Sequence, residues 1–423
     1  MISAPEFKPS DFEYTFTFRD EGVRAVLDRF SESKGEIQTE LTIDRLDEFG
    51  RPRLRLYGPA KFNLLGVQVN QARELNEALD IDWKGLLLTI RAMSVRQYRE
   101  GSPLIDLAAV DISDEAPRFL LPPFIDQHGI TVLVADGGTG KSLTALAMAV
   151  ALVTDEPVFG ERPNAVGSVV YLDWEADEET HAERLWAVCR GLGVSVPGAG
   201  IHYQKMLSSL PEAVGSLRKK IMDVGASLVI IDSVGMARGG APESAEETIK
   251  LFRAMRSLGI PVLAIDHISK EAKKGDAGGA DPIGSIYTRN AARLVWSMEG
   301  KQFEGRVDTV IVFRNSKANF GRKERQRAFR YGFSEGPGGR LEAVTFDPVD
   351  WRDTEEFADK LPVKDRIVRA LRAGPLTRME IAAAADITVD AARARLSELR
   401  RDKKVVDLGA DCWGLPSDRE DAP

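Results

Sequence analysis

The residues with the clearest chemical meaning lie in a glycine-rich turn that joins an apolar run to an apolar helix. Ile130 to Val134 is typical of a buried parallel strand, and about ten mostly apolar residues after the turn favour a helix. Such a turn points consecutive backbone N–H groups at a phosphate, and the N-terminus of the helix adds partial positive charge. The predicted phosphate-binding residues are Asp136, Gly137, Gly138, Thr139, Gly140, Lys141, Ser142 and Leu143.

Two side chains of this turn can act directly on a nucleoside triphosphate. Lys141 would reach the β- and γ-phosphate oxygens, and the Ser142 hydroxyl would ligate Mg²⁺. The usual pattern begins with Gly where this chain has Ala135. Alanine can start the turn if its φ stays negative, so we expect the change to be tolerated. The alternative is an ordinary strand-to-helix turn, and the predicted cofactors are ATP and Mg²⁺.

Two carboxylates follow later apolar runs. Asp232 ends the strand predicted at 227–232 and would hold Mg²⁺ directly or through water. The alternative is a simple strand-end cap. Glu175 lies just past the strand predicted at 168–173, and a carboxylate there can polarise the water that attacks the γ-phosphate. Asp173 is a rival base, although strand alternation would point it away.

Two further residues could sense or complete such a site. His267 follows the strand predicted at 261–266, where it could detect the γ-phosphate and signal to the loop 270–283. A structural hydrogen bond is the alternative for His267, and the loop either contacts DNA or is a solvated insertion. Lys317 lies in a cation-rich segment, 313–323, predicted as a strand-to-strand turn. A basic group there could neutralise transition-state charge in a neighbouring subunit, or could simply be an exposed basic turn.

Alternating strands and helices are needed to bring these residues to one sheet edge. Besides the strands already named, the pattern predicts helices over 178–192 and 244–258, and further strands over 308–313 and 328–333 that form an antiparallel edge. The fold class predicted for the middle of the chain is therefore α/β.

The flanking regions have a different character. Residues 1–115 are predicted as a small α+β module with strands over 13–19 and 36–43, a helix over 21–30 between them, a strand or hairpin over 51–65 and one or two helices over 69–98. Residues 111–123 are predicted as a linker. The tail is predicted to contain three helices and a β-hairpin, over 363–373, 377–385, 388–403 and 405–415.

Composition limits the class of protein. The chain has 423 residues, enough for two or three domains, with 43% hydrophobic and 29% charged residues. No apolar run reaches the roughly 18 residues that a membrane helix needs, and the N-terminus lacks a signal-peptide pattern. The two cysteines lie far apart, so we expect neither disulfides nor a zinc site, and we expect a cytoplasmic protein.

The charge distribution suggests where a polyanion could bind. The net charge of −8 argues against a protein coated in nucleic acid. Residues 314–330 nevertheless carry seven Lys or Arg against one Glu, and residues 364–404 carry eleven basic against six acidic residues.

The motifs, in this order, resemble the RecA-superfamily ATPases over about residues 116–335, and more narrowly the RepA-like hexameric helicase group of plasmids and phages. The resemblance rests on ADGGTGKS, YLDWE, LVIIDS, AIDHISK and RNSKANFG. It implies that ATP hydrolysis depends on Lys141, Ser142, Glu175, Asp232 and His267. It also implies a homo-oligomer, a hexameric ring with ATP between subunits, in which a basic finger that maps to Lys317 acts in trans.

Two positions depart from the pattern of that group. Relatives often carry an Arg where this chain has Asn319, which leaves open whether the finger is Lys317 or a nearby Arg. They also often carry His-His where this chain has Asp266-His267.

The tail resembles a winged-helix DNA-binding domain, through PLTRMEIA and the helix VDAARARLSELRRDKKV. That helix would present Arg393, Arg395, Arg400 and Arg401 to phosphates and base edges. Winged helices also dock proteins, so both partners stay open.

The sequence thus predicts an N-terminal module of unknown role (1–115), a RecA-like ATPase domain (116–350) and a winged helix (351–423). The leading hypothesis is a Mg²⁺-dependent, ring-forming DNA helicase of phage or plasmid replication, with single-stranded DNA on the 270–283 loop, duplex DNA on the winged helix and no membrane partner. One alternative is an ATP-switched DNA-binding regulator or recombination accessory ATPase. Another is a signalling ATPase without a nucleic acid partner.

Overall fold

The structure is a computed structural model. It describes residues 2–10, 13–33, 35–66, 69–101, 104–110, 117–240, 244–268, 286–301, 307–319, 323–354, 357 and 361–419. The chain divides into two compact units, Met1–Ala116 with Glu212–Lys220, and Pro117–Pro211 with Ile221–Pro423. The three-domain division made from the sequence stays a prediction.

The N-terminal unit contains an antiparallel sheet in which each strand pairs with the next along the chain. Its strands are β1 (Glu6–Pro9), β2 (Glu13–Phe18), β3 (Val23–Ser33), β4 (Glu36–Leu46) and β5 (Pro52–Asn63). Two helices follow, α1 (Val69–Ala78) and α2 (Trp83–Glu100). The core between sheet and helices includes Phe16, Phe18, Trp83 and Leu86, which are fully buried. The α+β character predicted for this region is confirmed.

The helix predicted over 21–30 is wrong, because this segment is strand β3. Val23, Ala25 and Leu27 alternate with exposed or half-buried residues and are fully buried. They pair with the inward-facing residues of β2, with Val23 opposite Phe18 and Ala25 opposite Phe16. The alternation of buried and less buried side chains, together with pairing to strand β2, favours a strand over the weaker helical pattern.

In the described part of the second unit, nine strands form one sheet in the order β10-β9-β11-β12-β8-β13-β14-β15-β16. Pairs from β10 to β13 are parallel, and pairs from β13 to β16 are antiparallel. The strands are β8 (Ile130–Ala135), β9 (Ser168–Asp173), β10 (Ile201–Lys205), β11 (Ala226–Asp232), β12 (Val262–His267), β13 (Leu294–Lys301), β14 (Asp308–Ala318), β15 (Arg327–Glu335) and β16 (Leu341–Pro348). A short pair precedes them, β6 (Phe119–Leu121) and β7 (Ile125–Asp126).

Helices connect the parallel strands, as a doubly wound α/β sheet requires. They are α3 (Lys141–Thr154), α4 (Glu178–Leu192), α5 (Leu210–Asp223), α6 (Val234–Ala237), α7 (Ala245–Ser257) and α8 (Ile286–Ala291). Strand β8 is buried at every position, which explains why it is mostly apolar rather than alternating. The α/β fold, the RecA-like core and the antiparallel edge predicted from the sequence are confirmed.

The turn predicted over 313–323 is wrong in its first half. Strand β14 continues through Ala318, pairing with β13 as far as Leu294. Burial of Phe313 and Asn315 on this longer strand explains the continuation. Residues 320–322 lie outside the described residues.

The C-terminal segment adds α9 (Val363–Leu371), β17 (Leu376–Thr377), α10 (Arg378–Ala384), α11 (Val389–Arg401), β18 (Val406–Gly409) and β19 (Cys412–Gly414). The strands form a small antiparallel sheet in the order β17-β19-β18. Its core includes Ile367, Leu371, Leu396 and Trp413. A capping box at Thr377 and Glu380 fixes the start of α10.

Among the described residues, no helix is both long enough and apolar enough to cross a membrane.

Candidate nucleotide-binding site

Four adjacent parallel strands bring the predicted chemical residues to one edge of the sheet. In the order β9-β11-β12-β8, their carboxyl ends deliver Glu175, Asp232, His267 and the glycine-rich turn. His267 is paired directly with Ala135, the residue that starts the turn. Residues far apart in the chain therefore meet where open parallel sheets bind ligands.

The glycine-rich turn has the conformation that its glycines permit. Gly138 and Gly140 have φ of 75° and 87°, in the left-handed region that side chains disfavour. Ideal Cβ atoms on Gly137 or Gly138 would meet nothing within 4 Å, so the open side of the turn has room for a phosphate. Ala135 is not among the residues with positive φ, which satisfies the condition on which the alanine was expected to be tolerated.

Lys141 is buried at the start of α3, with its ammonium group directed back at the turn. Its Nζ donates to the carbonyl oxygens of Ala135 at 2.9 Å and Asp136 at 2.7 Å, and lies 3.4 Å from Nδ1 of His267. Burial lowers the pKa of Lys141, while the carboxylates of Asp232 and Glu175 oppose that shift. The cation is thus held beside the space in which phosphate oxygens would replace weaker carbonyl partners.

Ser142 and Asp232 form the part of the site that fits a divalent cation. The Ser142 hydroxyl donates to Oδ2 of Asp232 at 2.7 Å, and the Tyr171 hydroxyl donates to the same oxygen at 2.6 Å. Hydroxyl and carboxylate oxygens are the hard ligands that Mg²⁺ prefers. The donor set therefore fits Mg²⁺, with Ser142 and Asp232 as the residues that would hold it.

Glu175 and His267 lie side by side at the mouth of this site. The Glu175 carboxylate accepts a hydrogen bond from the Ser233 hydroxyl, and its Oε1 lies 3.2 Å from Nε2 of His267. Because an ammonium group only donates, Nδ1 of His267 must accept from Lys141, which leaves Nε2–H to donate to Glu175. His267 thus connects the phosphate-binding lysine to the candidate base.

Asp173, the rival base, lies opposite Asp232 in the paired strands β9 and β11. It is fully buried, and its oxygens accept the backbone N–H groups of Glu175 and Ala176 and the Tyr203 hydroxyl. Asp266 is also buried, which raises its pKa to about 6, and its Oδ1 accepts the N–H of His267. Both aspartates support neighbouring residues rather than face open space.

Lys317 lies in strand β14 instead of at a turn. Its Nζ donates to the carbonyl oxygens of Arg289, Asn290 and Ala292 at 2.6–2.9 Å. An ammonium group has three N–H donors, so all of them are used at the C-terminal end of α8. Within its own chain, Lys317 caps a helix, and its role as a finger in trans stays a prediction.

The remaining predicted residues are placed as follows. The hydroxyl of Thr139 donates to the carbonyl of Asp136 and closes the turn, and Leu143 packs against the main core behind it. The 270–283 loop lies outside the described residues.

Several residues that support the site were not predicted. Tyr171 hydrogen-bonds Asp232, Ser233 hydrogen-bonds Glu175, and Tyr331 of β15 hydrogen-bonds Thr144 in the first turn of α3. For Tyr171 strand alternation misled, because Tyr171 shares a face with Asp173, which was expected to point away from the site. For Tyr331 the sequence offered no signal, since 187 positions separate it from its partner.

Similarity to known proteins is found with a family model and with a solved structure. Residues 98–273 match the family model described as an AAA domain, a region that contains every element of the edge described above. No curated protein matches the sequence. Among solved structures, the KaiC-like protein PH0186 from the hyperthermophilic archaeon Pyrococcus horikoshii OT3 is similar, with 13% sequence identity over 54% of this chain and 94% of that chain and a TM-score of 0.35. The family match and the sheet topology support a RecA-like P-loop ATPase.

Proposed function

We propose that this protein is a Mg²⁺-dependent ATPase that assembles into a ring and moves on DNA, as a RepA-like helicase in phage or plasmid replication. The observation that carries the ATPase part is the convergence of Glu175, Asp232 and His267 on Lys141 and Ser142 at one sheet edge. The helicase part is supported by the motif order and by the basic C-terminal helix.

Each residue of the site has a role in the proposed reaction. Lys141 binds the phosphates, and Ser142 and Asp232 hold Mg²⁺, which when bound neutralises charge on the phosphates. Glu175 orients the attacking water and accepts its proton. His267 loses its lysine partner when Lys141 turns to a phosphate, so its ring is free to respond to the γ-phosphate.

That response is the proposed link to DNA. His267 ends strand β12, and the segment 270–283 follows it within a few residues. If the imidazole of His267 reorients with the phosphate state, it would shift the start of this segment. In the proposed oligomeric ring, this is how ATP turnover would move single-stranded DNA.

A neighbouring subunit would supply the remaining positive charge. Lys317 was selected for this role from the sequence, but to serve a neighbour it would have to leave the three carbonyls that it caps. The basic finger that acts in trans is proposed to be Lys317 or a basic residue near it. Lys323 and Arg325 are exposed in the same region.

The C-terminal segment is proposed to be a winged helix that binds duplex DNA. The order of three helices and a three-stranded sheet in the described residues fits that architecture. All four predicted arginines of α11 are exposed. Arg395 and Arg400 pair with Glu398 and Asp407, whereas Arg393 and Arg401 form no ion pair within the described ranges.

DNA-stimulated ATP turnover is the test of the proposal. We expect single-stranded DNA to raise the ATPase rate several-fold and ATP to support unwinding of a forked duplex. In a separate measurement of solution mass, we expect a nonhydrolysable ATP analogue to stabilise the oligomer. An ATPase rate that single-stranded DNA does not change would exclude the helicase. Tight duplex binding without unwinding would favour the ATP-switched regulator, which the exposed arginines of α11 also fit.

The arginines of α11 give a separate prediction about salt. In R393A/R401A, we expect weaker duplex binding and a slope of log affinity against log salt that is less steep by about two, because each phosphate contact contributes about one. Binding measured by fluorescence anisotropy across a salt series checks this. Arg340→Ala, which changes an exposed arginine in the turn between β15 and β16, serves as the control. An unchanged slope would make the C-terminal segment a protein-docking module.

A further inference from the structure

We propose that Asp173 is a positioning residue that fixes Glu175 through the backbone N–H of Glu175, and that the Tyr203 hydroxyl in turn holds the Asp173 carboxylate. This inference rests on the proposed function, in which Glu175 orients the attacking water. It gives Asp173, the rival candidate for the base, a different and testable role.

The hydrogen bonds of Asp173 define the turn that carries Glu175. Oδ1 accepts the N–H of Glu175 at 3.0 Å, and Oδ2 accepts the N–H of Ala176 at 3.0 Å. These two N–H groups follow the end of strand β9, where no ladder partner remains for them. A charged acceptor at this point sets the direction in which the chain leaves the sheet.

Tyr203 holds the Asp173 carboxylate in place, and His181 lies beside it. The hydroxyl of Tyr203, on β10, donates to Oδ2 at 2.9 Å, and Nε2 of His181, on α4, lies 3.2 Å from the same oxygen. Burial alone would raise the pKa of Asp173, but His181, the N–H of Glu175 and Tyr203 together lower it to about 2. The lowered pKa favours the ionised carboxylate, which is a poor proton acceptor.

Glu175 is consequently held at both ends. Its backbone N–H is bound by Asp173, and its carboxylate contacts the Ser233 hydroxyl and His267. A general base must be placed within hydrogen-bond reach of the water, and a misplacement of about 1 Å can cost about 10²-fold in rate. The Asp173 cluster supplies that placement from the buried side of the strand.

A metal ion is the competing explanation for these buried groups. Ligand atoms of Asp173, His181 and Asp232 lie within 4.8 Å of one another, and the ring of His181 has no well-aligned hydrogen-bond partner in the described part of the chain. However, both oxygens of Asp173 already accept backbone N–H groups, and its Oδ2 also accepts the Tyr203 hydroxyl. A positioning role for Asp173 requires only the observed contacts, whereas a bound metal ion would have to displace several of them.

A double-mutant cycle on the full-length protein tests the proposal. We expect Asp173→Asn to lower the ATPase kcat about 10- to 100-fold with little change in the KM for ATP, because the nucleotide contacts remain. In the Glu175→Gln background the same change should have almost no further effect, since the residue that it positions is already inactive. Single-turnover hydrolysis measures both rates.

The milder variant Tyr203→Phe guards against a folding defect in Asp173→Asn. It removes one hydroxyl, and we expect a loss of about 3- to 10-fold in kcat that also disappears in the Glu175→Gln background. If either substitution slows Glu175→Gln by its full factor, Asp173 acts independently and the proposal is wrong. If Glu175→Gln itself keeps the wild-type rate, the proposed role of Glu175 fails, which is a different result.

Metal dependence separates the competing explanation. After treatment with EDTA, we expect Mg²⁺ alone to restore the full ATPase rate of the wild-type protein. A requirement for a second, tightly bound metal, lost in His181→Gln, would overturn the positioning role.

Discussion

Replacing Lys141 with alanine is expected to lower ATP turnover by at least about 10²-fold and to weaken nucleotide binding. Lys141 is the only cationic side chain whose contacts, in the described residues, centre on the carbonyls of the glycine-rich turn. Removing one preorganised donor from a transition-state oxyanion costs about 10²–10³ in rate, and here the donor also carries a full charge. Alanine leaves the glycines and Ser142 in place, so the fold of the turn is kept.

Binding of a fluorescent ATP analogue and steady-state hydrolysis measure the two effects. Lys250→Ala is the matched control, because Lys250 lies on α7 in exposed ion pairs with Glu246 and Glu247 that contribute little to stability. Thermal unfolding of both variants shows whether the fold is retained. Full activity in Lys141→Ala would remove the glycine-rich turn from the site.

Most elements of the ATPase core could be predicted because local pattern and burial agree. Strand β9 and helix α4 have the predicted bounds, strands β8 and β11 differ by one residue at one end, and strand β12 differs by one residue at each end. Fully buried parallel strands are apolar throughout, and the polar residue at each carboxyl end marks the edge. The same rule predicted from the sequence alone that Glu175, Asp232 and His267 lie at one edge of the sheet.

Two strands with mixed exposure, β3 and β10, were not predicted as strands. Strand β10 is half-buried at most of its positions, and its apolar residues do not form a run. Strand β3 was mistaken for a helix because its short segment fits both repeats, and only the pairing with β2 and β4 decides between them. The strands that pair with a given segment cannot be identified from the local sequence of that segment.

Charge counting along the chain overstates the free positive charge of the basic segment 314–330. Arg314, Arg327 and Arg330 pair with Glu299, Glu161 and Asp308, and Lys317 caps α8. The acids come from other strands and loops, up to 166 positions away. A local excess of arginine and lysine in the sequence therefore does not give the unpaired positive charge at the surface. That charge is known only when the acidic residues that pair with them have been located.

Glu175→Gln is the second substitution with a large expected effect. Glutamine keeps the shape of the side chain and can still accept the hydrogen bond from Ser233, but it cannot take a proton from water. General bases contribute about 10²–10⁴ to the rate, so we expect hydrolysis to fall by that factor while ATP stays bound. The phosphate contacts of Lys141 and the metal ligands are untouched, which is why binding should persist.

The expected signature is a trapped complex: near-normal affinity for ATP, single-turnover hydrolysis slowed at least about 10²-fold, and an oligomer stabilised by unhydrolysed ATP. Glu179→Gln is the matched control, because Glu179 is an exposed acid in the first turn of α4, close to Glu175 in the sequence. Its rate should equal that of the wild type. Because Asp173 accepts its hydrogen bonds on the buried side of β9 and has a pKa of about 2, it cannot substitute for Glu175, and wild-type hydrolysis in Glu175→Gln would place the base outside this strand end.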